Sequence, residues 1–190
     1  TNLTAYRIRH GHYRTDPDLR AAHAACPWVV VWDDHELAND AWREGADAHH
    51  EGAHGPWPER RDAAMQAYFE WLPIRATSPS QEGHLYRSLT FGDLVELTMM
   101  DLRTYRDQAP GYRGLAAARE EATMLGAEQF DWVRGVLERS HTRWNVMGNS
   151  VMIAPLDLAE VRRDDATAVV AEFLGARSAA GVPMNLDQWD

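Results

Sequence analysis

The chain contains no lysine. All 19 of its basic residues are arginine, set against 29 acidic residues and nine histidines, for a formal charge of -10. Neutralising a nucleic-acid backbone requires a surplus of cations, so coating DNA or RNA is excluded as a main role. Arginine is the better bidentate partner for phosphate and carboxylate, although a GC-rich coding bias is the simpler reason for the missing lysine. A single cysteine, Cys26, excludes an internal disulfide framework. No run approaches the roughly 20 apolar residues that a membrane span requires, and no secretory signal is visible. What is present is 190 residues with a 45% hydrophobic fraction and eight tryptophans, enough for one domain, or most of one, with a real core.

Local signals divide the chain into alternating helices and apolar runs. Thr15 or Asp16 can cap a helix with Pro17 in its first turn, running to about Ala25 and stopped by Pro27. Trp28 to Trp32 is apolar and β-branched, which predicts a strand buried on both faces. Asn39 to Trp57 is polar and rich in glycine and histidine, and reads as a long loop. A helix follows from Pro58 to Leu72, ended by Pro73. Leu85–Phe91 and Leu94–Met100 read as two strands about a turn at Gly92-Asp93. A long Arg-rich connection leads to a helix over Gly126–Ser140, with Phe130, Val133 and Leu137 assigned to its apolar face. Trp144–Met147 reads as a short strand, and Val161–Ala179 as a last helix. The alternation predicts an α/β layered architecture.

The densest polar cluster is Asp33-Asp34-His35-Glu36, directly after the apolar run. Carboxylates hold hard cations, a neutral imidazole ligates metal or orients substrate, and strand ends let such groups converge. Glu36 is placed to bond the imidazole from outside the site. The alternative is a plain helix start, where acidic residues are favoured by the helix dipole without any chemistry. His50-Glu51-Gly52-Ala53-His54 spells the zinc-protease pattern H-E-x-x-H, but that mechanism needs the pentad on a helix. Gly52 and the following Gly55-Pro56 argue against one, so His50 and His54 are expected in a solvated loop.

The cluster belongs to a longer series. Trp32-Asp33-Asp34-His35-Glu36, then Asn39-Asp40 and Trp42, resembles the central motif of the alkaline phosphatase D (PhoD-like) metallophosphatases. His12-Tyr13-Arg14-Thr15-Asp16-Pro17-Asp18-Leu19 is similar to the segment before that motif, and Gly45-Ala46 with His49 to the loop after it. Ala67-Tyr68-Phe69-Glu70-Trp71-Leu72-Pro73-Ile74-Arg75, Phe91-Gly92-Asp93-Leu94 and Asp101-Leu102-Arg103-Thr104-Tyr105-Arg106 follow in order. Met124-Leu125-Gly126 with Gln129, Trp144-Asn145-Val146, Ala154-Pro155-Leu156 and Asp187-Gln188-Trp189-Asp190 complete it.

The resemblance implies a calcineurin-like metallophosphoesterase sandwich, a four-layer α/β/β/α fold of which this chain is an incomplete portion. It implies hydrolysis of phosphate mono- or diesters with iron and calcium as the metals, and export, often by the twin-arginine route. Carried over by residue, His35 would contact the phosphate or protonate the leaving oxygen, and Asp34 would ligate metal with Asp33 beside it. Glu36, Asn39, His49, Arg103 and Asn149 are further candidates for substrate contact or for support of the site. The structural alternative pairs Arg103 with Asp101 or Asp107 and leaves Asn149 to shape a turn. The family also carries an upstream Gly-Asp-x-x-Tyr motif and a downstream Gly-Asp-x-His motif, and neither occurs here. Residues 1–190 therefore read as the central portion of such a catalytic domain, with most activity expected only in a longer parent. The competing expectation is a non-catalytic relic of the fold that binds an anion or a partner.

Overall fold

The computed structural model describes residues 2–76, 83–109 and 122–153. The helix expected over Val161–Ala179 and the final matching blocks lie outside them.

Two capped helices open the chain. In α1 (Leu3–Tyr13) the Asn2 side chain accepts from the Ala5 amide at 3.1 Å. In α2 (Pro17–Ala25) Asp16 accepts from the Leu19 amide at 2.8 Å, with Pro17 in the first turn as the sequence predicts. No apolar stripe announces α1, because none of its residues is fully buried. It is instead held against α4 (Trp57–Trp71). Arg7 Nε donates to the Glu70 carboxylate at 2.6 Å, and the His10 ring stacks on Trp71 at 6.2 Å between centroids. A side chain at Gly11 would come within 3.3 Å of that indole, so glycine sets how closely the helices approach.

The stretch from Pro27 to Asp33 corrects an expectation. Among the described residues it pairs with no strand, and Trp28 and Val29 are 45% and 37% exposed. The Val30 carbonyl instead accepts from Arg87 Nη2 at 2.7 Å. Apolar composition marks a segment for burial, but a strand needs a partner ladder, and the described residues supply none. Trp32 alone is fully buried in the run.

The expected long loop also contains structure. β1 (Ala41–Trp42) and β2 (Gly45–Ala46) pair antiparallel, and α3 (Glu51–His54) is a single helical turn. The turn forms despite Gly52 because it closes on Gly55, whose φ of 77° is glycine's own region. α4 then runs to Trp71, with Leu72 as its C-cap before Pro73.

The larger sheet has the order β3-β4-β5. β3 (Arg87–Phe91) and β4 (Val95–Met99) form the expected hairpin about Gly92, which has φ 59°. β5 (Trp144–Gly148) lies parallel to β4 in the register Val95–Trp144, Leu97–Val146 and Met99–Gly148. α5 (Gly126–Arg139) makes the crossover between them. Its buried positions are Gln129, Val133 and Val136, whereas Phe130 and Leu137 are 54% and 40% exposed. The helix is thus rotated from the assigned face, and a polar residue takes a central buried place.

Two cores result. Trp32, Leu37, Ala38, Ala41, Ala46, Trp57, Ala64, Met65, Tyr68 and Leu85 form one under α4. Met100, Leu102, Leu125, Val133 and Val151 form the other, which joins the segments after β4 and β5 to α5. The architecture is mixed α/β, as the alternation predicts.

Trp32 is fully buried and meets Tyr68 edge-on at 5.3 Å, so Trp32→Ala is expected to cost about 3–5 kcal/mol, read by urea denaturation. The Arg7 guanidinium and then the Gln66 amide hold the Glu70 carboxyl down to about 2, from an ordinary 4.5. A depressed carboxyl favours the fold above its unfolded value, and that contribution fades as pH falls from 4.5 through 2. Arg7→Ala is expected to raise the Glu70 midpoint in an NMR titration and to flatten acid destabilisation over that window.

Candidate active site

The acidic cluster sits on a turn pinned at both ends. Trp32 enters the core before it, and Leu37 and Ala38 enter after it. The Leu37 amide donates to the Asp34 carbonyl at 2.8 Å, which closes the turn. Glu36 does not reach the imidazole, as the sequence suggested. Its carboxylate accepts from the Asp33 amide at 2.9 Å, the reach-back of a capping box without the helix that usually follows. The plain helix start is also not what forms, since positions 35–37 are a hydrogen-bonded turn.

Arg103 organises the two aspartates. Its guanidinium is 1% exposed, and Asp33 Oδ1 accepts from Nε at 2.7 Å and from Nη2 at 2.6 Å. Asp34 Oδ1 lies 3.9 Å from the same Nη2. The expected alternative pairing, with Asp101 or Asp107, is not what forms: Asp107 Oδ1 accepts from Arg43 Nη2 at 2.8 Å, and Asp101 turns to the backbone. Asp101 Oδ1 accepts the amides of Arg103 and Thr104, both at 3.0 Å, and so shapes the loop that aims the guanidinium. Asp101 is in turn fixed by Gln129, whose amide side chain accepts from the Asp101 N–H and donates to its carbonyl, both at 2.8 Å. The side chain thus stands in for a missing strand neighbour. Hydrophobic periodicity could not find Gln129, because it breaks the apolar stripe of α5; only its burial identifies it.

His35 is held differently. Its side chain is 78% exposed, and Nε2 donates to Asn39 Oδ1 at 3.0 Å. Asn39 Nδ2 donates to Asp40 Oδ2 at 2.7 Å, and the Asp40 amide donates to Asp34 Oδ2 at 2.7 Å. Asp40 has φ 51°, a left-handed conformation that aspartate tolerates and that directs its amide back to Asp34. The loop Asn39-Asp40 therefore fixes both the imidazole and the carboxylate. The bond to Asn39, then the charge of Asp34, raises the His35 pKa above its ordinary value. The protonated imidazole is favoured on this turn, a contribution present at low pH and lost as pH rises through the elevated midpoint.

The structure does not bring every candidate to this turn. Among the described residues, the contacts of His49 run to Arg60 Nη1 at 3.3 Å and to the rings of Trp57 and His54 at 5.1 and 5.7 Å. Asn149 donates to the Val151 carbonyl after β5, which is the turn-shaping role. His50 caps α3 and donates its amide to His54 Nδ1 at 3.0 Å, so that nitrogen is taken and the H-E-x-x-H pentad is a local structural turn.

Asp33 and Asp34 offer hard oxygen donors of the kind calcium and iron accept. Asp33 is occupied by Arg103, however, and among the described residues no three His, Cys, Asp or Glu groups converge to hold a metal ion. The turn by itself does not complete a metal centre.

Comparisons with known proteins bear on the chain as a whole. The profile of the PhoD-like phosphatases matches residues 1–190. Alkaline phosphatase D of Bacillus subtilis (strain 168) is 39% identical over 163 residues, 80% of this chain but 27% of that protein. A solved structure described as "Structure of PhoD" is 36% identical with a TM-score of 0.72, over 83% of this chain and 31% of that one. The chain thus spans well under half the length of these relatives.

Replacing Arg103 by Gln strands two carboxylates, one of them nearly buried. With the Asp33 side chain 40% exposed, the loss belongs at the low end for a broken buried pair, about 3 kcal/mol by chemical denaturation. Asp33→Asn is expected to cost at least as much, because it takes a charged partner from a guanidinium that is only 1% exposed.

Proposed function

The chain belongs to the PhoD-like phosphatase family, and on that premise we propose that it forms one wall of a metal-dependent phosphoesterase site in a longer protein. The substrates are phosphate mono- or diesters, and the parent fold is the four-layer α/β/β/α sandwich with export as its destination. One observation carries the reading. An exposed imidazole, held by Asn39, stands beside two carboxylates that a buried arginine aligns. That arrangement is costly to build for stability alone, since burying Arg103 removes a charge from water.

His35 acts on the phosphate. With its Nε2–H given to Asn39, and its charged form favoured by that bond and then by Asp34, its Nδ1–H is left to hydrogen-bond a phosphoryl oxygen or to pass to the leaving oxygen. Asp34, with Asp33 beside it, contributes to metal binding, jointly with groups beyond the described residues; iron and calcium are the metals that the family resemblance implies. Arg103 holds the aspartates at fixed spacing. Asn39 is a positioning residue for His35. His49 and Asn149 support the loops around the cleft. A second reading, a non-catalytic relic that binds an anion, draws on the incomplete ligand set among the described residues. Stoichiometric iron or calcium in the purified parent separates the two.

In the parent, His35→Ala is expected to lower kcat on a chromogenic phosphodiester by roughly 10²–10⁴-fold. An unchanged kcat would remove His35 from the mechanism. The 190-residue chain alone, supplied with iron, calcium or manganese, is expected to turn over little. Robust turnover by it, abolished by His35→Ala, would show that the chain holds a complete site.

A further inference from the structure

His35 does not face open solvent on every side. It lines a cavity of about 520 Å³ together with Arg9, His10, Arg14 and His23, from the first two helices and the turn between them. A second hollow shares Arg14 and His23 with the first and continues along α2 to Arg20. Among the described residues, none of these three arginines has a carboxylate partner. Unpaired guanidinium groups lined up in a chain of net charge -10 run against the composition of the whole. The histidine walls are rigid: His10 stacks on Trp71 at 6.2 Å, and His23 on Trp28 at 4.2 Å. Burial, then the nearby Arg14, lowers the pKa of both, so near neutral pH the positive charge of the groove rests on arginine. Glu36 also lines the cavity, with its carboxylate turned onto the Asp33 amide.

The geometry points to a subsite for a second anionic group of the substrate: with the scissile phosphate at His35, a further phosphate lies in the α1–α2 groove on Arg9 and Arg14, with Arg20 beyond. Guanidinium groups bind phosphate oxygens through charge-assisted, often bidentate hydrogen bonds. A concave surface of one sign also concentrates a multiply charged ligand. The groove therefore selects esters carrying more than one phosphate over simple monoesters. This inference rests on the reading of His35 as the group that meets the scissile phosphate.

Tripolyphosphate and orthophosphate, titrated calorimetrically into the 190-residue chain at low salt, test it. The double variant Arg9→Gln/Arg14→Gln is expected to bind tripolyphosphate at least about tenfold more weakly, the scale of one lost charge-assisted bond. Arg134→Gln, on the exposed face of α5, changes net charge without touching the groove and is expected to bind as the parent sequence does. Circular dichroism establishes that the variants fold; among the described residues neither Arg9 nor Arg14 pairs with a carboxylate, so their loss removes no ion pair there. Equal tripolyphosphate binding by the double variant and the parent sequence would overturn the subsite, as would an equal loss in Arg134→Gln. His35→Ala is read separately with orthophosphate. If it changes nothing while the double variant loses tripolyphosphate, the groove stands and the role of His35 fails. If it weakens orthophosphate while the double variant is neutral, the reverse holds.

Discussion

The ion pair between buried Arg103 and Asp33 is the contact on which the site depends. It joins two parts of the chain 70 positions apart, and through them the two hydrophobic cores. Trp32 anchors one end in the core beneath α4, and Leu102 anchors the other in the core beneath α5. A guanidinium withdrawn from water must be compensated almost completely, so its partners have little freedom to move. The orientation of the Asp33–Asp34 carboxylates follows from that requirement. So does the presence of Asp101 and Gln129, which contribute no group to the turn but set the direction of the arginine.

From that anchor the chemistry divides between rigid and exposed parts. The carboxylates are held by a buried cation and by the Asp40 amide, whereas His35 projects outward with a single side-chain partner. Asn39 fixes which ring nitrogen carries the proton while leaving the rest of the imidazole exposed. The first two helices and the turn between them bring arginine and stacked histidine to the same cavity. Helices with no fully buried residue are held there by contacts such as Arg7–Glu70 and by the glycine that lets α1 lie on Trp71.

Several features were legible from local chemistry alone. Asp16-Pro17 starts α2, Pro73 follows the end of α4, and Gly92-Asp93 turns the β3–β4 hairpin. Each is decided within four or five residues, by a cap, a missing amide or a positive φ. The misreadings share a different cause. Trp28–Trp32 has strand composition but no neighbouring ladder among the described residues. Gln129 displaces Phe130 and Leu137 from the buried face of α5 because Asp101 needs its amide. His49 lies in the expected region, yet its ring nitrogen turns to Arg60 on α4.

The sequence by itself determined the family and the candidate cluster: Asp33, Asp34 and His35 are adjacent in the chain, and adjacency survives any fold. Tertiary structure alone decided what surrounds them. Arg103 could be paired with Asp33 rather than with its near neighbours only once β4 had delivered it there. Arg9 and Arg14 could line one cavity with His35 only once α1 had packed on α4. Such contacts link positions dozens of residues apart, and they depend on burial and long-range geometry that no local pattern of residues encodes.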